Sequence, residues 1–203
     1  MHLFFLFLLT LCGITFSESS LEKLIDGNKR YAEDKSTHAN ISLERRQAVI
    51  AKQEPFAIIV GCSDSRVSPE IIFDQGVGDL FVVRVAGNVV GQLELESINY
   101  AVEYLHSNIL IVLGHESCGA VKAVVENKTE SLPSLAKLIA PSVKQEKYIN
   151  QGDLLEKSIK SNAINMSNYL KETPTVKQFQ KNNKLIVKAA YYNLNSGLIE
   201  FLN

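Results

Sequence analysis

Short apolar runs alternate with amphipathic segments along most of the chain. The first run, Phe56–Val60, shows no apolar-polar alternation, so both faces of the strand that it predicts must be covered, as in a parallel sheet. Further strands are predicted at Asp79–Arg84, Ile109–Leu113 and Lys184–Tyr192, with a short final strand at Leu198–Leu202.

Segments with helical spacing separate these runs. They are Leu21–Asp34 (capped by Ser20), Ser42–Lys52, Pro69–Phe73, Leu93–His106, Cys118–Glu126 and a polar region with a helical pattern over Leu132–Thr173. Strands that alternate with helices predict an α/β fold: a mostly parallel central sheet flanked by helices, with a short antiparallel strand at the C-terminus. No linker interrupts the pattern, so residues 20–203 are expected to form one domain.

The N-terminal stretch differs from the rest. Leu3–Phe16 is almost wholly apolar but short for a membrane span, which is typical of a secretory signal peptide. Ser17 and Ser19 are small enough to allow cleavage before Ser20. We therefore expect residues 1–19 to be removed, with export to the periplasm or the medium and no stable membrane span afterwards. A retained membrane anchor and lipidation of Cys12 are the alternatives.

Composition narrows the function classes. Hydrophobic residues make up 46% of the 203 residues and charged residues 21%, as in an ordinary globular protein. The formal net charge is −1, and there is no long run of one sign. These values give no indication of nucleic-acid binding.

Candidate chemistry follows two of the predicted strands. Cys62, Asp64 and Arg66 come directly after the first strand, and His115 and Cys118 come after the third. The carboxyl ends of parallel strands meet at one edge of a sheet, where ligands gather. Two thiolates and one imidazole would make a three-ligand zinc site with an open position. A Cys62–Cys118 disulfide, or a redox-active dithiol, remains the competing interpretation.

Asp64 and Arg66 add a second feature to the first loop. The Asp64 carboxylate could accept a hydrogen bond from water on the metal, or displace that water and become a fourth ligand. Arg66 could hold Asp64 away from the metal through a bidentate pair. A solvated ion pair of little energetic consequence is the simpler alternative.

Four stretches of the chain resemble the β-class carbonic anhydrases. They are Gly61–Val67, Asp79–Asn88, Gly114–Ala120 and Ala190–Gly197, and the similarity extends over most of Leu21–Leu202. The resemblance implies one zinc ion per subunit and reversible hydration of CO₂ to bicarbonate and a proton through zinc-bound hydroxide.

The resemblance also implies roles for individual residues. Asp64 would orient the hydroxide and Arg66 would orient Asp64. Gln53, nine residues before Cys62, would contact substrate across a dimer interface, so a homodimer or a multiple of dimers is expected. Ile59 stands where family members with a bicarbonate-inhibition pocket carry tryptophan, which makes that type of inhibition unexpected here. A related zinc hydrolase acting on carbonyl sulfide or carbon disulfide, and a non-catalytic zinc-binding protein, are the alternatives.

Overall fold

A computed structural model describes residues 16–149 and 153–202. In that part of the chain, five strands form one sheet in the order β2-β1-β3-β4-β5. The strands are β1 (Ala57–Gly61), β2 (Leu80–Arg84), β3 (Ile109–His115), β4 (Ile186–Tyr192) and β5 (Ile199–Leu202). The first four are parallel, and β5 runs antiparallel to β4. The predicted fold class is confirmed.

Helices cover both faces of the sheet. They are α1 (Phe16–Ala32), α2 (Leu43–Ala48), α3 (Pro69–Ile72), α4 (Gln92–Glu103), α5 (Gly119–Val125), α6 (Pro133–Ile149), α7 (Leu154–Glu172) and α8 (Pro174–Lys181). Ala86–Asn88 forms a single 3₁₀ turn after β2.

The central strand β1 shows why the runs are continuously apolar. Successive side chains of a strand point to opposite faces. Ile58 and Val60 therefore join the cluster covered by α4 to α8, whereas Ala57 and Ile59 join the cluster covered by α1 and α3. All four side chains are buried, so an apolar residue is required at every position.

Helix α1 begins earlier than the sequence predicts. Ser20 is buried inside the helix rather than capping it, and Phe16, the first described residue, is already helical. The segment between them contains neither glycine nor proline, so nothing local ends the helix, and the preference of serine for the cap is only a weak prior. The predicted cleavage before Ser20 falls within this helix, and residues 1–15 lie outside the described part. Among the described residues, no helix is both long and apolar enough to cross a membrane.

The region Leu132–Thr173 contains two helices, α6 and α7. A third helix, α8, follows directly and was not predicted; Pro174 occupies its first turn, where a missing N–H does no harm. Strand β3 also continues to His115, two residues beyond the predicted end, so His115 belongs to the strand and not to a loop.

Asp74 joins the end of α1 to the segment after α3. Its carboxylate, 1% exposed, pairs with Arg30 at 2.6 Å. It also accepts hydrogen bonds from the Thr37 N–H, the Thr37 hydroxyl and the His38 N–H, each at 3.0 Å. Burial by itself would raise the pKa of Asp74, but the hydrogen bonds from Thr37 and Arg30 outweigh it and lower the pKa to about 2.

We expect Asp74→Asn to lower the free energy of unfolding at pH 7 by about 2 kcal/mol, because the folded state holds the charged carboxylate. A carboxyl group with a lowered pKa in the folded state stabilises it above the unfolded pKa near 4, and this contribution disappears as the pH falls towards 2. Urea denaturation at pH 7, 5 and 3 should show the gap between the two proteins narrowing. Glu70→Gln, at an exposed position, is the control, and a gap that is constant across this range would contradict the assignment.

Candidate metal centre

The sheet order places a crevice at the carboxyl end of β1. The connection from β1 leads to β2 on one side, and the connection from the neighbouring strand β3 leads to β4 on the other side, so the chain leaves these two strands in opposite directions. Such switch points are where open α/β sheets bind ligands. Cys62 follows the last residue of β1, and His115 is the last residue of the neighbouring strand β3. Cys118 lies three residues further on, at the N-cap of α5.

The three ligand atoms converge as the sequence predicts. The Cys62 and Cys118 sulfurs and a ring nitrogen of His115 all lie within 4.8 Å of one another. All three residues are buried, with exposures of 4%, 0% and 0% for Cys62, Cys118 and His115. Both cysteines are free thiols, so the structure does not contain the disulfide that the cysteine count allowed.

The His115 ring is oriented for a metal. Its Nδ1 is 2.8 Å from the Glu116 carbonyl oxygen, so this nitrogen donates a proton and leaves Nε2 as the unprotonated nitrogen. Nε2 is buried and has no hydrogen-bond partner among the residues that the structure describes. A buried acceptor without a partner is costly, and a ring N–H fixed by a carbonyl is the usual arrangement of a metal-binding histidine. These three side chains therefore fit Zn²⁺, with room for one further ligand.

The two cysteine sulfurs lie close enough to form a hydrogen bond. Their mutual hydrogen bond lowers the pKa of Cys62 and raises that of Cys118. The Gly87 N–H lies 3.3 Å from the Cys62 sulfur and further favours the thiolate. A divalent cation would displace the thiol protons, and two thiolates with a neutral imidazole would balance its charge.

The Asp64 carboxylate lies at the edge of this group. Its Oδ2 is 3.9 Å from His115 Nε2. Arg66 forms a bidentate pair with this carboxylate: its Nε donates to Oδ1 at 2.9 Å and its Nη2 donates to Oδ2 at 2.8 Å. The Arg66 backbone N–H donates to Oδ1 as well, at 3.0 Å. The Arg66 hydrogen bonds hold the pKa of Asp64 well below its usual range, so the group is ionised at neutral pH.

Arg84 is a contributor that the sequence interpretation missed. From the end of β2, its Nε donates to the Cys62 carbonyl oxygen at 2.9 Å and its Nη2 donates to the Asp64 carbonyl oxygen at 2.7 Å. One guanidinium thus fixes the backbone of the loop that carries a metal ligand and the adjacent carboxylate. An arginine directly after an apolar strand of a parallel sheet was the available signal, because that position lies at the same edge as Cys62.

The structure does not bring Gln53 to this group of residues. Gln53 is exposed and precedes β1, whereas Cys62 follows it, so the two lie at opposite edges of the sheet. It lines a recess of about 420 Å³ with Lys52, Glu54, Tyr100, Tyr104, Leu105 and His106. Within one subunit, Gln53 therefore has no access to the candidate metal centre.

A family model described as "Carbonic anhydrase" matches residues 57–199, which include every residue of the candidate centre. The chain belongs to the β-carbonic anhydrase family. Family membership agrees with the sheet order and with the Cys-His-Cys arrangement.

Individual carbonic anhydrases extend this result. The chain is 45% identical over 126 residues to carbonic anhydrase 2 of Mycobacterium tuberculosis, and 44% identical over 126 residues to a carbonic anhydrase of Mycolicibacterium smegmatis. Each alignment covers 59% of this chain and 61% of the relative, so the chain spans about three fifths of those proteins. The solved β-carbonic anhydrase CcaA is 25% identical with a TM-score of 0.71, covering 90% of this chain and 95% of that one.

Proposed function

We propose that this chain catalyses the reversible hydration of CO₂ to bicarbonate and a proton, with one zinc ion per subunit held by Cys62, His115 and Cys118. The observation that supports this most strongly is a buried Cys-His-Cys group with an ionised carboxylate beside it. Storage of a metal requires the three ligands only. It requires neither an arginine-held carboxylate nor a loop fixed by a second arginine.

When bound, zinc supplies the Lewis acidity that brings the pKa of a water molecule towards neutrality. The remaining roles belong to the chain. Asp64 is an acceptor only, because it is ionised, and can orient a water molecule or hydroxide through one hydrogen bond. Arg66 donates hydrogen bonds to both oxygens of the Asp64 carboxylate. These bonds keep the carboxylate from rotating towards the metal and becoming a fourth ligand. The Asp64 side chain is 17% exposed, whereas that of Arg66 is 52% exposed, so this pair lies where the site opens to solvent.

The decisive experiment combines metal analysis with a CO₂ hydration assay. Purified protein should contain one zinc per chain and should accelerate acidification of a CO₂ solution, followed by a pH indicator in a stopped-flow instrument. Fully zinc-loaded protein without acceleration would overturn the proposal. Sulfide release from carbonyl sulfide or carbon disulfide by such a sample would favour the related hydrolase, and inactivity towards all three would favour a non-catalytic zinc protein.

We further propose that the active unit is a homodimer or a multiple of dimers, in which Gln53 serves the site of the partner subunit. Gln53 lies at the opposite end of β1 from the metal centre of its own chain, which supports this arrangement. So do the large exposed side chains beside it, since Tyr100 is 45% exposed and Tyr104 is 69% exposed. Aromatic side chains at this exposure are typical of an interface.

Mixing two inactive variants tests the role of Gln53. In a dimer of one Gln53→Ala subunit and one Asp64→Asn subunit, the Gln53→Ala subunit keeps its own Asp64 and receives Gln53 from its partner. Random exchange should therefore restore about a quarter of wild-type activity, because half of the dimers are mixed and each has one complete site. Mixing two batches of the same variant is the control. No recovery despite demonstrated subunit exchange would contradict a role in the partner's site.

For the N-terminal segment, we propose cleavage before Ser20 and export. Leu3–Phe16 is almost wholly apolar, which supports a secretory signal peptide. N-terminal sequencing of protein recovered from the periplasm or the medium tests it. Protein that keeps Met1 and fractionates with membranes would favour the uncleaved anchor instead.

A further inference from the structure

Asn162 is a fully buried amide in the middle of α7. Its neighbours on that helix, Ile159 and Ala163, lie so close to β3 that a side chain on Gly114 would come within 3.2 Å and 3.4 Å of them. In this tight contact, an apolar residue would be expected at position 162. The structure instead has an asparagine whose Nδ2 donates to the Gly87 carbonyl oxygen at 2.8 Å.

Gly87 belongs to a turn that is unfavourable without support. Gly87 has φ of 73° and Asn88 has φ of 47°, so two consecutive residues adopt the left-handed conformation. Asn88 is buried, and neither polar atom of its side chain has a hydrogen-bond partner among the described residues. The turn is enclosed by α6, since a side chain on Gly87 would come within 2.8 Å of Ile139. A turn of this kind persists only if its surroundings hold it.

The same turn carries a donor to the metal centre. The Gly87 N–H is directed at the Cys62 sulfur at 3.3 Å. Within the described part of the chain, the other backbone donor to this sulfur is Asp64, which belongs to the same loop as Cys62. Donors to a ligating thiolate orient it and reduce its charge density. A displacement of Gly87 would therefore reach the metal ligand directly.

We propose that Asn162 is a positioning residue for the metal centre. By holding the Gly87 carbonyl, it keeps the Gly87 N–H directed at Cys62 before any metal binds. The inference rests on the proposed function in taking zinc as the ion. It deepens that function by assigning a metal-tuning role to a helix that contributes no ligand.

A purely stabilising role explains Asn162 less well. Its Oδ1 has no hydrogen-bond partner among the residues that the structure describes, so the amide is only half satisfied. Burial of a polar atom without a partner lowers stability, and a leucine of similar volume would avoid that loss. The polar side chain is thus better explained by the group that it holds than by its own burial.

Asn162→Leu is the test, with Asn165→Leu as the matched control. Asn165 lies one turn further along α7 and donates to the Ser142 hydroxyl at 2.9 Å, so its amide makes a part-buried hydrogen bond that does not involve Gly87. Zinc affinity is measured by competition with a chelator, and the thiolate-to-metal charge-transfer band is recorded after replacement with Co²⁺. We expect Asn162→Leu to weaken zinc binding about tenfold, the lower end of the range for outer contacts to metal ligands. Its band should shift to lower energy, because the thiolate loses a hydrogen bond. Asn165→Leu should change neither quantity.

A folded Asn162→Leu protein with the affinity and the band of the wild type would overturn the inference. Asn162→Ala, which also removes the donor, is measured beside it in case the leucine variant does not fold. Amide hydrogen exchange of Gly87 in the metal-free wild type gives an answer that needs no variant: protection supports a turn held in advance, and exchange as fast as in an exposed loop overturns it. A wild-type protein that binds no zinc would instead overturn the proposed function, so the two failures are distinguishable.

Discussion

Cys118→Ser is expected to lose zinc and, with it, all CO₂ hydration. A serine hydroxyl stays protonated at neutral pH and cannot replace a thiolate as a ligand. Structural zinc sites with four ligands bind with about 10 to 16 kcal/mol, or roughly 3 kcal/mol for each ligand, so affinity should fall at least about a hundredfold. The fold should survive, because Cys118 is the N-cap residue of α5 and serine is among the preferred residues there.

Zinc content after dialysis and chelator competition measure this loss. His38→Asn is the matched control, since it removes an imidazole far from the candidate centre; His38 has φ of 50°, a conformation that asparagine tolerates. The control should keep its zinc. A Cys118→Ser protein that retains a full complement of zinc after dialysis would mean that Cys118 is not a ligand.

Asp64→Asn is expected to keep zinc and lose turnover by roughly a hundredfold or more, the range of an essential acid-base or orienting group. The amide has almost the shape of the carboxylate but replaces one acceptor oxygen with a donor. It can no longer receive both guanidinium hydrogen bonds from Arg66 while also accepting one from water. The three metal ligands are untouched, so binding and turnover should separate.

Zinc analysis and the stopped-flow CO₂ assay on one preparation measure that separation. Asp34→Asn is the control: Asp34 is exposed and has φ of 55°, where asparagine is readily accommodated. Turnover of Asp64→Asn within a few-fold of the control would refute the role of Asp64. Loss of zinc in Asp64→Asn alone would make Asp64 a ligand and not an orienting group.

The fold class and the convergence of Cys62, His115 and Cys118 could be predicted from the sequence because their signals are local. Continuous apolar runs indicate strands buried on both faces, and a residue directly after such a strand must lie at the carboxyl edge of the sheet. The positions of Cys62, His115 and Cys118 follow from these two rules, once β1 and β3 are neighbours.

Other features could not be predicted because they depend on contacts between distant segments. Nothing near Asn162 indicates that its amide meets Gly87, and nothing near Arg84 indicates which carbonyl groups it will hold. From the sequence alone, Gly27 is expected only to weaken α1, because glycine has a low helix propensity. In the fold it lets α1 approach α3 so closely that a side chain would come within 1.9 Å of the Phe73 carbonyl oxygen. The structural role of each of these residues depends on the distant group that it contacts in the fold.

The ligand positions have a mechanical consequence. Cys62 directly follows β1 and His115 ends the adjacent strand β3, but all of β2 and α4 lie between them along the chain. An ion bound to both would hold the ends of this long loop together in the folded chain only, because the unfolded chain has no preformed site, and its binding free energy would add to the stability of the fold. Metal supply would then govern the lifetime of the protein as well as its chemistry, because protein without the ion would unfold and be degraded sooner.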